Sequence, residues 1–298
     1  MFIASTLAGL EEICCKEVNG KKIIGCRVKF EKKQDVRSAL VVYEFIDGFK
    51  FKTLGNILSK VRKLKIPIKG RFKVECNREG KHKFSSQEVK EDVGEVFYNK
   101  KFKVDLHNPG TIIYIDIVNN NCFIGLNPEN AGKRKYRIRG SRQGLNATIA
   151  YALLKIADYK REDVLLDPFC GDGVILIEAG LLGGKNLHGT SDYLENAKIN
   201  SHLAGVKINL DNNFDFNKFK KGSVDKIITN PLMVEKAKIR EVFAQAKRIL
   251  KKEGVILIIS NQINSIKKIA GENGFNGRKK AEIVNGDIHY TVMGFKSD

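Results

Sequence analysis

The sequence of 298 residues contains no tryptophan, and none of its six cysteines forms a C-x-x-C pair. No histidine stands at zinc-ligand spacing from a cysteine, so the pattern predicts no metal site. Cysteines without such partners usually behave as small buried hydrophobic residues in a reducing compartment.

Signals for secretion or membrane insertion are also missing. Residues 1–6 lack the positive segment and the long apolar segment of a signal peptide. No apolar run approaches the length that a bilayer-spanning helix needs. We therefore predict a soluble, monomeric protein of the cytoplasm with no membrane partner.

Positive charge is what the sequence has in excess, with 53 Lys and Arg against 34 Asp and Glu and a formal net charge of +19. Such an excess predicts a polyanionic partner, and nucleic acid is the leading candidate. A membrane surface is less well supported, because no basic helix shows a strong apolar face. Alternatively, the positive charge reflects a generally lysine-rich composition and has no functional meaning.

The chain divides by pattern into three segments. Residues 1–57 alternate strand and helix patterns, as in a small α+β domain of the ferredoxin-like kind, with Asp47-Gly48 as a turn. Residues 58–142 include a capping box, Ser85-Ser-Gln-Glu88, that opens a helix, and a hairpin turn at Asn119–Asn121. Residues 143–298 repeat strand then helix and end in a hairpin, which predicts an α/β, doubly wound sheet with a reversed last strand.

One turn in the third segment has the form of a nucleotide-type pocket. The short apolar strand Val164–Leu166 ends at Asp167, at the edge where such sheets bind ligands. Gly171 and Gly173 allow close backbone approach, and a helix follows from about Val174.

Acidic residues around this turn bear on the identity of the ligand. Asp192 follows the second strand, 21 residues after Gly171, where a carboxylate can accept both ribose hydroxyls. NAD needs a third glycine that this turn lacks, whereas Asp167 and Asp172 can pair with a cationic ligand such as S-adenosylmethionine (SAM). Asp215, after the third strand, can accept from an adenine amino group. Alternatively, Asp192 caps a helix and Asp215 lies in a solvated loop.

The fourth strand ends in Thr229-Asn-Pro-Leu-Met233. The Asn230 side chain and the Pro231 carbonyl can accept hydrogen bonds from an exocyclic amino group and hold its nitrogen toward a methyl donor. Such an amine belongs to guanine N2 or adenine N6, and the pattern does not separate them. The alternative is a simple strand-ending turn.

At these residues the chain resembles the THUMP-domain RNA methyltransferases. Asp167-Pro-Phe-Cys-Gly-Asp-Gly-Val-Ile-Leu-Ile-Glu178 is similar to the family's D-P-F-C-G-S-G-T-I-L-I-E, and Asn230-Pro231 falls where the family has N-P-P-Y. Thr6–Glu11, Arg78–Phe84 with Val104–Pro109, and Arg134–Arg137 resemble its N-terminal, THUMP and connector motifs.

The resemblance implies ferredoxin-like and THUMP domains that bind the acceptor end of tRNA, followed by a Rossmann-like SAM-dependent methyltransferase domain. Within the family, the chain most resembles the tRNA guanine-N2 methyltransferases. Related enzymes of the family act on 23S rRNA. The implied catalytic residues are Asn230 and Pro231. The cofactor residues by resemblance and spacing are Asp167, Phe169, Gly171, Asp172, Gly173, Asp192 and Asp215.

Two sets of basic residues are predicted to contact RNA phosphates. The first lies in the THUMP segment, and the second in the basic run before the last domain, which could instead be a solvated face. They are Arg78, Lys81, Lys83, Lys133, Arg134, Lys135, Arg137, Arg139 and Arg142.

The chain departs from the family at Leu232 and Met233, which replace the second proline and the aromatic of N-P-P-Y. A proline fixes φ, and an aromatic stacks on an extruded base, so both aids are missing here. A non-catalytic RNA-binding member is therefore the second hypothesis, and an NAD-dependent enzyme is the third.

Overall fold

The computed structural model describes residues 1–140, 144–191, 194–212, 215–232 and 234–297. It divides into two compact units, the first formed by Met1–Thr6 and Cys14–Ala131 and the second by Leu7–Ile13 and Gly132–Asp298. Each unit contains one seven-stranded sheet.

The first unit is a mixed sheet with helices. Its elements in chain order are β1 (Phe2–Thr6), α1 (Glu11–Val18), β2 (Lys21–Lys22), β3 (Arg27–Phe30), β4 (Ala39–Lys50), α2 (Leu54–Lys63), β5 (Phe72–Glu79), α3 (Ser86–Asn99), β6 (Thr111–Val118) and β7 (Asn121–Glu129). The strand order is β2-β3-β1-β4-β7-β6-β5, and only the β5–β6 pair is parallel.

Strand β4 joins the segments that the sequence separates at residue 57. It pairs with β1 on one side and with β7 on the other, so both segments share one sheet. The predicted turn at Asp47-Gly48 is wrong, because both residues lie within β4 opposite Ile124 and Phe123 of β7. A register shift between Phe45 and Asp47 absorbs the irregularity that the glycine signals.

The capping box predicted at Ser85 is confirmed. The Glu88 N–H donates to Ser85 Oγ at 3.1 Å, and the Ser85 N–H donates to Glu88 Oε2 at 2.8 Å. Val89, Val93 and Phe97 recur along α3, are buried and belong to the core of this unit. Helix α3 therefore begins where its cap satisfies the first N–H groups and is held by its apolar face.

A buried ion pair links β3 to β6 inside the first unit. Arg27 donates from Nε and Nη2 to the two oxygens of Asp116, both at 2.6 Å, and each residue is at most 1% exposed. Tyr43 and Asn77 also donate to Asp116, each at 2.9 Å. Burial opposes the charge of Arg27, but the bonds and charge of Asp116 outweigh it and raise the pKa of the guanidinium. The carboxylate is thus fully engaged by the fold.

We expect Arg27→Met to lower the free energy of unfolding of this unit by about 3–5 kcal/mol, because a buried carboxylate loses its cation. Arg27→Met combined with Asp116→Leu should recover most of the loss. Hydrogen exchange of the β6 amides across a urea series measures both. The control is Lys33→Met, which breaks the exposed Lys33–Glu129 pair and should cost at most about 0.5 kcal/mol. A loss in Arg27→Met no larger than this would contradict the expectation.

The second unit is a doubly wound sheet. Its elements are α4 (Ala147–Ile156), β8 (Leu165–Asp167), α5 (Val174–Leu181), β9 (Leu187–Thr190), α6 (Leu194–Leu203), β10 (Asn209–Asp211), β11 (Val224–Thr229), α7 (Lys236–Ile249), β12 (Leu250–Ser260), α8 (Ile263–Glu272), β13 (Phe275–Asn285) and β14 (Ile288–Ser297). The order is β10-β9-β8-β11-β12-β14-β13. The five strands from β10 to β12 in this order are parallel to one another. Strand β14 is antiparallel to both of its neighbours, β12 and β13, which confirms the reversed last strand.

The buried strands and helices of this unit hold the ligand edge of the sheet in place. Ile227 and Leu166 are at most 2% exposed, and α7 and α8 contribute Phe243 and Ile269 to the same core. The segment Leu7–Ile13 belongs to this unit, since Ala8 bridges to Val284 of β13. Over the described residues, no helix has the length and apolarity needed to cross a membrane.

Candidate active site

The glycine turn joins β8 to α5. The Gly173 N–H donates to the Cys170 carbonyl at 2.8 Å and closes the turn, and Gly173 caps α5 with φ +80°. Gly171 has φ +53°, and apart from Gly171 itself and its two chain neighbours no described residue has an atom within 4 Å of the point where a Cβ would stand. The turn therefore requires glycine conformations and leaves an open approach at Gly171.

Asp167 ends β8 as a buried carboxyl. It is 1% exposed, and its Oδ1 accepts from Thr229 Oγ1 at 2.6 Å and from the Phe169 N–H at 3.1 Å. Burial raises the pKa of Asp167 to about 7 against these two bonds, which lower it. No ion pair to Asp167 is found among the described residues, so no basic side chain that the structure describes neutralises its charge. The site favours a cationic ligand at this carboxyl.

Thr229 is a residue that the sequence analysis missed. It is fully buried at the end of β11, and its hydroxyl ties that strand to Asp167 at the end of β8. A polar residue that closes the apolar run Ile227-Ile228 was the available signal. Because Asn230 follows directly, the same bond fixes the start of the predicted catalytic loop.

Asp172, predicted to face a cationic ligand, has a partner within the protein. Arg137 donates to its Oδ2 from Nε at 3.0 Å and from Nη2 at 2.8 Å. The carboxylate thus already has a cation from the protein. Of the two acids in the turn, Asp167 is the one without such a partner among the described residues.

The connector before α4 is fastened to the same region. Arg134 and Tyr136 both donate to Oε1 of Glu178, at 2.9 and 2.8 Å, and Glu178 is fully buried on α5. Asn200, buried on α6, donates to the carbonyls of Arg139 and Asp172 at 2.6 and 3.1 Å. Glu178, Tyr136 and Asn200 were not predicted as site residues.

These contacts bear on the predicted RNA contacts. Arg134 is 9% exposed and Arg137 is 20% exposed, and both guanidinium groups pair with carboxylates of the same domain, so their predicted phosphate contacts stay predictions. Lys133, Lys135 and Arg139 are exposed, as a phosphate contact requires. Arg142 lies outside the described residues.

The Asn230-Pro231 loop follows β11. The Leu232 N–H donates to the Asn230 carbonyl at 2.8 Å, which closes a tight turn over Pro231. Among the described residues no hydrogen bond engages the half-buried Asn230 side chain. Its amide oxygen therefore stays available to a ligand, while the backbone is held. Met233 lies outside the described residues.

Asp215, a predicted cofactor residue, is not brought to the turn by a described contact. Asp215 is exposed and caps a short 3₁₀ turn by accepting from the Asn217 N–H at 2.9 Å, which is the loop role considered above. Asp192 lies outside the described residues. Phe169 is half-buried and packs against the core of the unit.

Comparison with known proteins identifies two domains. Residues 54–127 match the THUMP domain, and residues 134–192 match the methyltransferase domain described as RMKL-like. Over these two ranges the chain is similar to a THUMP domain and to an RMKL-like methyltransferase domain. This combination confirms the resemblance found in the sequence.

Several curated relatives carry the name tRNA (guanine(6)-N2)-methyltransferase, and a human relative is named U6 snRNA (guanine-N(2))-methyltransferase. The protein of Archaeoglobus fulgidus is 28% identical over 216 residues, which cover 61% of this chain and 53% of that protein. That of Thermus thermophilus is 37% identical over 112 residues, which cover 37% of this chain and 33% of the relative. The matches thus span about half or less of those proteins.

Solved structures match over the whole chain. TrmN from Thermus thermophilus aligns with a TM-score of 0.81 at 23% identity, covering 100% of this chain and 99% of its own. A putative methyltransferase complexed with S-adenosylhomocysteine (SAH) aligns with a TM-score of 0.79 at 15% identity, covering 100% and 98%. At these identities the likeness establishes the fold of the chain and nothing beyond the fold.

The THUMP unit holds the other predicted RNA contacts. Lys81 and Lys83 are exposed, whereas Arg78 is half-buried and bonds through Nη1 to the Gly80 carbonyl and to His82 Nδ1, at 3.3 and 3.1 Å. Nε of Arg78 is buried and has no hydrogen-bond partner among the residues that the structure describes. Within the part of the chain that is described, no group of three His, Cys, Asp or Glu residues could hold a metal ion.

Asp167 should make the stability of the methyltransferase domain depend on pH. Its pKa is about 7 in the folded chain against an ordinary 3.8, so between about pH 4 and 7 only the unfolded chain has lost the proton. The free energy of unfolding therefore falls as pH rises through this range and levels off above pH 7. Asp167→Asn removes the ionisable carboxyl, so its free energy of unfolding does not fall in this way. The difference between the variant and wild type should therefore rise by about 2–3 kcal/mol from pH 5 to pH 8.

Hydrogen exchange of the β8 and β11 amides in urea reports this difference. Asp158→Asn is the matched control, because Asp158 is exposed and its bond and charge pairing with Lys160 lower its pKa. It stays ionised throughout the range and should leave the slope unchanged. An equal slope in wild type and Asp167→Asn would show that Asp167 does not titrate there.

Proposed function

We propose that this chain is a SAM-dependent RNA methyltransferase that acts on the exocyclic N2 amine of a guanine in the acceptor stem of tRNA. One observation carries the proposal. A buried carboxyl without a cation among the described residues, Asp167, is tied by the Thr229 hydroxyl to the strand end that bears Asn230-Pro231. A site for a cationic donor thus adjoins a pair of acceptors for an amine. The names of the relatives support the substrate.

The residues of the glycine turn fit SAM. Asp167 would hold its amino group, because ionisation of this carboxyl in a nearly dry site needs a positive partner. Gly171 leaves the backbone approachable, and Gly173 begins α5 with its N-terminal amides facing the turn. SAM supplies a methyl group as an electrophilic carbon on a sulfonium and leaves as the neutral thioether SAH.

Asn230 and Pro231 would orient the amine. An exocyclic amine has two N–H groups, which the Asn230 Oδ1 and the Pro231 carbonyl can each accept. With both hydrogens held, the remaining direction of the nitrogen points out of the plane of the base, where a new bond to carbon can form. The two acceptors also stabilise the positive charge that grows on the nitrogen.

The proton balance requires no further catalytic group. When the nitrogen bonds the methyl carbon it becomes cationic and strongly acidic. It then releases one proton to water and returns to a neutral secondary amine. The amide oxygen of Asn230 and the carbonyl of Pro231 accept hydrogen bonds but do not need to act as bases.

RNA binding would use both units. The exposed Lys81 and Lys83 of the THUMP domain and the exposed Lys135 and Arg139 of the connector fit phosphate contacts of a tRNA acceptor end. Such contacts position the substrate without reading its sequence. The cytoplasmic location and monomeric state stay predictions.

A second candidate is an RNA-binding protein that does not catalyse. Leu232 lacks the fixed φ of the family's proline, and its N–H bonds the Asn230 carbonyl. We favour catalysis, since this bond restrains the turn that a proline would otherwise restrain. Leu232→Pro with Met233→Tyr would restore activity only if the native loop is impaired.

The deciding experiment incubates the chain with labelled SAM and unmodified tRNA, followed by nucleoside mass spectrometry. N2-methylguanosine in the tRNA supports the proposal. N6-methyladenosine would show that the target base is adenine and not guanine. A product found only with a 23S rRNA fragment would change the substrate. No product, despite binding of tRNA and SAH, would establish the second candidate.

Asn230→Ala should lower kcat by about 100- to 1,000-fold, because one acceptor that aligns the amine is removed. SAH affinity, measured by calorimetry, should stay within about twofold, since Asn230 would touch the base and not the donor. Asn264→Ala, at an exposed position on α8, is the control and should retain full activity. An Asn230→Ala variant with full activity would contradict the role of the Asn230 side chain in aligning the amine.

Asp167→Ala should abolish methyl transfer, because the donor loses its charged partner. Binding of tRNA, measured by filter retention, should be unaffected, since the phosphate contacts lie elsewhere. Retained methylation in this variant would show that the pocket is assigned to the wrong turn.

A further inference from the structure

The connector of the methyltransferase domain has two faces. Lys133, Lys135 and Arg139 are exposed, while Tyr136 is buried and Arg134 is 9% exposed. This alternation places cations toward solvent and other polar groups toward the domain. One face can meet a polyanion while the other holds the protein.

The inner face is fastened to the elements that form the glycine turn. Glu178, which accepts from Arg134 and Tyr136, lies one turn into α5. Arg137 reaches the turn itself, because its two donors converge on Oδ2 of Asp172. The neighbouring residues of Asp172 are Gly171 and Gly173, the two that must adopt positive φ.

Asn200 adds a backbone link at the same point. It accepts from the Arg139 N–H at 3.1 Å, donates to the Arg139 carbonyl at 2.6 Å and donates to the Asp172 carbonyl at 3.1 Å. Arg139 therefore combines an exposed side chain with a backbone held to the turn. Any restraint on the Arg139 side chain is passed to Asp172 through one buried residue.

We propose that Arg137 and Asp172 are a positioning pair that couples RNA bound on the outer face of the connector to the glycine turn that holds the methyl donor. This rests on the proposed function, which supplies the two ligands. Phosphates on Lys135 and Arg139 restrain the connector, and the ion pair extends the restraint to the turn. RNA then raises the affinity of the turn for SAH, and SAH raises the affinity for RNA by the same factor.

The acid of the pair stands at a position where the related motif has another residue type. The related motif has serine where Asp172 stands, and a serine cannot form the same charge pair with the Arg137 guanidinium. An ion pair only 20% and 6% exposed on its two sides is also shielded from salt more than a surface pair. The coupling should therefore depend on the pair and not on the connector alone.

Calorimetry tests the coupling in both directions. SAH affinity is measured with and without saturating unmodified tRNA, and tRNA affinity with and without saturating SAH. In wild type both ratios should be about tenfold and equal. In Arg137→Ser and in Asp172→Ser both should fall to about onefold, and Arg137→Asp with Asp172→Arg should recover part of the coupling, a rescue that loss of structure would not give.

Arg240→Ser is the matched control, because it breaks the exposed Arg240–Glu272 pair on the surface of the same domain. Its coupling factor should equal that of wild type. Equal ratios in wild type and Asp172→Ser, with SAH and tRNA both bound, would overturn the positioning pair and leave the proposed function standing. If wild type binds neither SAH nor tRNA, the proposed function fails and the pair loses its role with it.

Discussion

The bond between Thr229 and Asp167 is the constraint on which the active site depends. Parallel strands bring their carboxyl ends to one edge, but they do not fix the side chains there. The hydroxyl of Thr229 donates to Asp167 Oδ1 at 2.6 Å, and Asn230 is the residue that follows Thr229 in the chain. Burial leaves this carboxyl with a pKa near 7 and no basic partner among the described residues. In the proposed function this carboxyl ionises against a cationic ligand, and perturbed pKa values of this kind are common at functional sites.

The two acids of the turn show how the environment divides similar residues between roles. Asp167 is buried behind hydrogen-bond donors that carry no charge, whereas Asp172 meets a guanidinium. In the proposed function Asp167 meets a cation of the ligand. Asp172 already pairs with Arg137 of the connector. Spacing in the sequence treats the two alike, since each flanks the glycine turn. Only the course of the connector, which depends on Glu178 and Asn200 far along the chain, separates them.

Local patterns predicted what local physics determines. The capping box at Ser85, the glycine turn and the reversed last strand follow from short stretches of sequence, and the structure contains each of them. The turn predicted at Asp47-Gly48 failed because pairing with β7 outweighs the tendency of these residues. The inward orientation of Arg134 and Arg137 could not be predicted either, because a basic run reads the same whether its partners are phosphates or buried carboxylates.

The replacement of proline by leucine at position 232 has a counterpart in the backbone. Proline would fix φ and remove an N–H, whereas leucine donates that N–H to the Asn230 carbonyl at 2.8 Å. The bond restrains the turn and leaves the Asn230 side chain and the Pro231 carbonyl, the two acceptors of the proposed function, outside the hydrogen bond. It occupies a carbonyl that this chemistry does not use. The departure at this position is therefore compatible with an intact acceptor pair.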